Sequence, residues 1–179
     1  MIPLLLLMSV MAGSLFDGKT LNGWVNEGGA NFRVEKGTIV VDSGPYSWLR
    51  TAETFKDYEL SLEFKTAADG NSGIFLRSHA TGKPHETGYE LQIFNDHKEF
   101  PTGSIVGVAK ANPPVKFNPD AWNSYEITHF NDKITVKLNG KKVLECKDSR
   151  SKSGFIGLQF NPGKPIAFRK IKIKELPPL

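Results

Sequence analysis

The chain has 179 residues, with 23 Lys and Arg against 19 Asp and Glu and a formal net charge of +4. That length suits one ordinary domain around a single core, and 39% hydrophobic with 23% charged residues is too close to globular averages for a disordered chain. The single cysteine, Cys146, excludes an intramolecular disulfide framework and a cysteine-rich zinc site, and so small an excess of positive charge, unclustered, implies no nucleic-acid partner.

Residues 2–12 (IPLLLLMSVMA) are apolar and uncharged. A bilayer takes about 20 residues to span, so this run implies no integral membrane span. Its length fits the apolar region of a signal peptide, with small residues Ala12, Gly13 and Ser14 at a cleavage point, although a basic stretch ahead of it is missing. Residues 1–14 are therefore expected to be a signal peptide or its remnant, and 15–179 the folded domain.

From residue 30 onward the hydrophobic period is close to two, which predicts strands. Phe32, Val34 and residues 38–41 form a hairpin about Lys36 and Gly37. In residues 58–65 (YELSLEFK), Tyr58, Leu60, Leu62 and Phe64 alternate with polar residues, so one face is buried and the other solvated. Residues 73–78 put Ile74 and Leu76 opposite Phe75 and Arg77, and residues 89–94 put Tyr89, Leu91 and Ile93 opposite Glu90, Gln92 and Phe94. Residues 134–138 (ITVKL) run into Asn139-Gly140, a type I′ hairpin signal leading to Val143 and Leu144. Residues 155–160 put Ile156, Leu158 and Phe160 opposite Phe155, Gly157 and Gln159. In the last run Phe168 is out of phase with Ile171 and Ile173, which predicts a bulge near Arg169; the lysines there read as a solvated face guarding a sheet edge. Short strands at this spacing predict an antiparallel sandwich or barrel. The irregular segments 80–86 and 95–118 are long enough to line a site or wrap an edge.

Arg77, Glu90, Gln92 and Gln159 all fall opposite the apolar set of their own strands. If those strands are neighbours, one sheet surface carries a carboxylate, two amides, a guanidinium and the aromatics Phe75, Phe94 and Phe155, which suits a polyhydroxylated carbohydrate ligand. A solvated outer face without a ligand has the same polarity. Ordinary glycosidase chemistry needs two carboxyl groups about 5 to 9.5 Å apart. Here Glu90 is followed at the next same-face positions by Gln92 and Phe94, and Asp96 lies beyond the strand, so a two-carboxylate glucanase is disfavoured. His79, His85, His97 and His129 include no i, i+4 pair, and each reads first as a surface residue. No cofactor is expected; a divalent metal has no ligand pattern here, though none of these residues precludes one. There is no G-x-S-x-G elbow, P-loop or dinucleotide fingerprint.

The stretches SLFDGKTLNGW (14–24), NSGIFLR (71–77), GYELQ (88–92), Thr102-Gly103, Trp122-Asn123, LNG (138–140), GLQ (157–159) and the ending FRKIKIKEL resemble the 3-keto-disaccharide hydrolase domain family. The likeness runs over about residues 14–176. It implies an all-β, antiparallel jelly-roll β-sandwich of the concanavalin A-like type. It also implies a bacterial periplasmic or secreted protein that cleaves glycosides already oxidised at C3. A C3 ketone acidifies the C2 hydrogen, so one base, an enolate stabiliser and a proton donor suffice. On that resemblance Glu90 moves the proton, Arg77 stabilises the oxyanion, and Asp96 or His97 assists from the loop. Gln92, Gln159 and Asn71 bind hydroxyls, with Phe75 as an apolar surface. The family often carries His-Gly shortly after the last glutamine, where this chain has Phe160, Asn161, Pro162 and Gly163. A non-catalytic carbohydrate-binding jelly roll would use the same face, and a protein-interaction sandwich would leave it without a sugar.

Overall fold

The structure, a computed structural model, describes residues 12–178. Most of the expected signal segment lies outside the described residues. Its last two residues form strand β1 (Gly13–Ser14), which pairs with Ile173 and Lys172.

Two antiparallel sheets make up the molecule. The larger has eight strands, β1, β3 (Arg33–Glu35), β4 (Thr38–Val41), β6 (Tyr58–Thr66), β9 (Asn123–Phe130), β10 (Lys133–Leu138), β11 (Lys141–Lys147) and β13 (Ile166–Glu175), in the order β11-β10-β9-β6-β13-β4-β3 with β1 against β13. The smaller has five, β2 (Trp24–Glu27), β5 (Ser47–Thr51), β7 (Ser72–Ser78), β8 (Tyr89–Ile93) and β12 (Phe155–Phe160), in the order β2-β5-β12-β7-β8. A single helical turn, α1 (Pro84–Thr87), joins β7 to β8. This is the sandwich that the alternation predicts.

Along β6 every second residue from Tyr58 to Phe64 is buried, and along β10 the same holds for Ile134, Val136 and Leu138. These meet Ile74, Leu76, Leu91, Ile93, Ile156 and Leu158 of the smaller sheet in one continuous core. Both predicted tight hairpins form, with positive φ at Lys36 and Gly37 (46° and 77°) and at Asn139 and Gly140 (49° and 79°). The bulge near Arg169 is present as a register shift between Arg169 and Lys172. The edge role is corrected: β13 has partners on both sides, so its lysines cover a solvent face in mid-sheet and guard no edge.

The segment after β8 is ordered by pairing back onto that strand. Gln92 N–H donates to Ser104 O, Gly103 N–H to Gln92 O and Val106 N–H to Glu90 O, so residues 103–106 cover the free edge of β8. Buried Asn95 ties down the rest: its Oδ1 accepts from the Thr102 hydroxyl and the Phe117 N–H, and its Nδ2 donates to Phe117 O.

One end of the sandwich is closed by a buried polar knot. Arg77 Nη2 lies 3.0 Å from Asp57 Oδ1, and the guanidinium also donates to the carbonyls of Asn131, Ser151 and His129. His129, expected at the surface, is fully buried in β9 between the Tyr58 and Tyr89 rings, and neither ring nitrogen has a partner. Its strand phase explains this, because it occupies the same inward set as Tyr125 and Ile127. Burial, with Arg77 close by, depresses its pKa to about 3 from 6.5. The unfolded chain takes up a proton below pH 6.5 and the native protein does not, so stability falls as pH drops from 6.5 toward 3. The expected slope is about 1.4 kcal/mol per pH unit from this group. Urea unfolding of His129→Phe across that range is expected to remove this component; an unchanged pH dependence would refute it.

Candidate functional site

The outward face of the smaller sheet is set by register. Phe75 stands opposite both Glu90 and Gly157, Gly73 opposite Gln92, and Gln159 opposite Trp48. Residues directly opposite in an antiparallel pair share a face. The period-two reading of β8 and β12 therefore holds, and Glu90, Gln92 and Gln159 converge.

They line a cleft of about 470 Å³ with Tyr46, Asn71, Lys83, Pro84, His85, His97, Val106 and Asn161. Gln159 Nε2 donates to Glu90 Oε1 at 2.9 Å. Glu90 is only 8% exposed, and burial pushes its pKa up to about 7 against the opposing effect of the Gln159 hydrogen bond. The carboxyl thus exchanges its proton near neutrality. The Oε1 atoms of Gln92 and Gln159 are buried without a partner, two acceptors left open to a ligand that donates. Two glycines make room on this sheet. A Cβ at Gly73 would lie 2.9 Å from Glu90 Oε1, and one at Gly157 would run into the Trp48 indole.

Three of the expected site residues lie elsewhere. Arg77 has a left-handed φ of 49°, and β7 slips register against β12 between Phe155 and Gly157, so the side chain leaves the outward face and turns into the polar knot. It does not reach Glu90's cleft. Phe75 keeps the right face, but it is fully buried with its ring edge against Trp48 (centroids 5.5 Å apart), so it supports the sheet and offers no surface to a sugar. Asp96 points into a neighbouring hollow, where its carboxylate meets Lys116 at 3.2 Å. His97 and Asn71 do line the cleft. Glu90 is the only carboxylate among the cleft's lining residues.

The sequence reading missed Tyr46, Lys83, Val106 and Asn161. Tyr46 is the one large hydrophobic residue exposed among the described residues, at 44%, and its hydroxyl is 3.5 Å from Gln159 Nε2. An aromatic ring in a Gly-Pro turn just before a strand was the available signal. Arg150 holds the α1 wall by donating to the carbonyls of His85 and Gly88. Among the described residues no group of three or more His, Cys, Asp or Glu is placed to hold a metal ion, and no helix is long and apolar enough to cross a membrane.

A two-sheet antiparallel sandwich with this strand order is a concanavalin-type jelly roll, here carrying a polar cleft on the outward face of its smaller sheet. The chain belongs to the 3-keto-alpha-glucoside-1,2-lyase-like domain family, which matches residues 11–174. A 3-keto-disaccharide hydrolase of Bacteroides thetaiotaomicron is 36% identical over 165 residues, covering 74% of this chain and 57% of that protein, so the chain spans little over half the length of this relative. Among solved structures, a glycosyl hydrolase candidate from Parabacteroides distasonis superposes with a TM-score of 0.81 at 23% identity, over 93% of this chain and 94% of that one. The carbohydrate binding module CBM66 from Bacillus subtilis superposes at 0.66 and 16% identity, over 86% and 96%.

Proposed function

We propose that the domain cleaves glycosides of 3-keto-glucose by elimination followed by hydration, with Glu90 as the base. The observation that carries this reading is a lone, buried carboxyl with a pKa near 7 in a cleft that holds no second carboxylate. Direct displacement at C1 in the usual glycosidase manner needs two. Elimination beside a ketone needs one.

Ionised Glu90 takes the C2 hydrogen as a proton, and its C–H electrons become the C2–C3 double bond of an enolate with the charge on O3. The enolate reforms the ketone as a C1–C2 double bond forms and the C1–O bond breaks. The departing oxygen takes a proton, which Glu90 now carries. Water then adds across the double bond, with OH at C1 and H at C2, to give free 3-keto-glucose. Gln92 and Gln159 accept hydrogen bonds from sugar hydroxyls through the oxygens that the protein leaves unpartnered. The curated relative's name, 3-keto-disaccharide hydrolase, supports the substrate class.

The test is aglycone release from a 3-keto-glucoside and from its unoxidised parent. Release from the keto compound alone is expected, with C2 deuteration slowing it. Release from the parent, or saturable binding of the keto compound without turnover, would overturn the reading; the latter result would make the domain a binding module.

A further inference from the structure

With Arg77 buried in the polar knot, the enolate oxygen needs another donor. Lys83 is half committed to Glu86 at 3.0 Å with its side chain 69% exposed, and His85 Nε2 faces the same carboxylate at 3.7 Å. The amides of Asn71, Gln92 and Asn161 can donate, but among the described residues no hydrogen bond holds any of the three in one orientation. His97 is different. Its Nδ1 accepts two backbone N–H bonds, from Phe100 at 2.9 Å and Glu99 at 3.2 Å. A nitrogen that accepts from two donors carries no proton, so the neutral ring must be the Nε2–H tautomer. The ring is packed between Phe94 and Phe100, with centroids 6.1 and 6.3 Å away; Nε2 makes no hydrogen bond among the described residues, and the half-buried ring stands between Glu90's cleft and the hollow around Asp96, lining both.

We infer that His97 is a catalytic hydrogen-bond donor, a neutral imidazole whose Nε2–H is held by the loop backbone to meet the substrate oxygen that becomes negative when Glu90 removes the C2 proton. This inference rests on the elimination reading. The proton stays on Nε2 throughout: the C2 proton goes to Glu90, the C1–O bond breaks, and His97 donates a hydrogen bond to O3 without giving up its hydrogen. A donor fixed in advance costs no reorganisation as charge develops, which is the source of its effect.

Two variants separate the two ring nitrogens. In His97→Asn, Oδ1 can take the place of Nδ1 and keep the loop closed, while the donor is lost. In His97→Gln the amide N–H can take the place of Nε2–H, while the loop acceptor is lost. His97→Asn is expected to lower kcat on a 3-keto-glucoside by about 10²–10³-fold with KM little changed. The Glu99 and Phe100 amides should stay protected from exchange, and the pH limb due to Glu90 should stay where it is. His97→Gln is expected to be the more active of the two. The 15N signals of His97 in the free protein should report the Nε2–H tautomer at neutral pH, a readout that needs no substrate. Wild-type turnover by His97→Asn, loss of the Glu90 limb in that variant, or an Nδ1–H tautomer would overturn the inference. If the wild-type protein itself does not cleave the keto compound, the elimination reading fails instead, and the tautomer measurement still stands or falls alone.

Discussion

Glu90→Gln is expected to lower aglycone release from a 3-keto-glucoside by about 10²–10⁴-fold, the usual range for loss of a general base. In the wild-type protein kcat/KM should climb about tenfold per pH unit up to a plateau above pH 7, because Glu90 works only when ionised and its pKa in the free protein is about 7. Gln159→Leu removes the one hydrogen bond that favours the ionised form. The limb should then move to higher pH, and the plateau of kcat/KM should also fall because the acceptor for a sugar hydroxyl is lost with the amide. A limb that stays at pH 7 in Glu90→Gln would assign it to another group and remove Glu90 from the chemistry.

The same carboxyl leaves a mark on stability that needs no substrate. Its folded pKa of about 7 lies above the ordinary 4.5, so between those values the native protein holds a proton that the unfolded chain has released. Stability contributed by Glu90 is complete below pH 4.5 and is lost as pH rises through 7, by about 1.4 kcal/mol for each unit of the shift. Glu90→Gln should therefore be more stable than wild type at pH 8 and little different at pH 4. His129 works in the opposite sense over pH 3 to 6.5, so the two slopes offset each other between 4.5 and 6.5 in the wild-type protein. Each variant uncovers the other's slope. An active-site residue that costs stability in its working state is what a site held for chemistry leads one to expect.

How much of this is legible from residue order varies with the kind of interaction. Glu90 and Gln92 alternate with Leu91 and Ile93, and Gln159 with Leu158 and Phe160, so period two alone puts the three polar groups on one face. That they then touch depends on β12, β7 and β8 being neighbours, which the folded sheet supplies and spacing does not. Phe75 has the right phase and the wrong depth, since burial under Trp48 follows from the empty place at Gly157 on the adjacent strand. Tyr46, Val106 and Asn161 reach the cleft from loops, and loop ends meet only when the whole chain has folded. His97's fixed tautomer depends on a turn closing over it at Glu99 and Phe100. Arg77 is the instructive failure. Arginine carries no marked preference for a left-handed φ, so nothing in NSGIFLR announces that the strand changes phase there.

Arg77→Met is expected to destabilise the domain by about 3–5 kcal/mol, because it takes from buried Asp57 its one buried counter-ion and leaves only the solvent-exposed Lys56 ammonium at 4.0 Å. Both side chains are almost fully covered, Arg77 at 1% and Asp57 at 4%, so solvent screens the pair very little. The arginine also satisfies the carbonyls of His129 in β9, Asn131 in the β9–β10 turn and Ser151 in the connection from β11 to β12, so it ties the smaller sheet's β7 to the larger sheet and acts as a clasp. For a domain of this size the loss corresponds to a fall in Tm on the order of 10 °C. Adding Asp57→Asn to Arg77→Met should recover part of it, since the residual charge is then gone, although the amide cannot replace every bond. Activity provides the opposing test. An oxyanion stabiliser would lose 10²-fold or so in kcat with the fold intact. A clasp residue remote from the cleft should lose stability and keep kcat per folded molecule within about twofold below the transition. Large loss of kcat in a variant with wild-type Tm would return Arg77 to the reaction and would mean that the cleft around Glu90 rearranges when substrate binds.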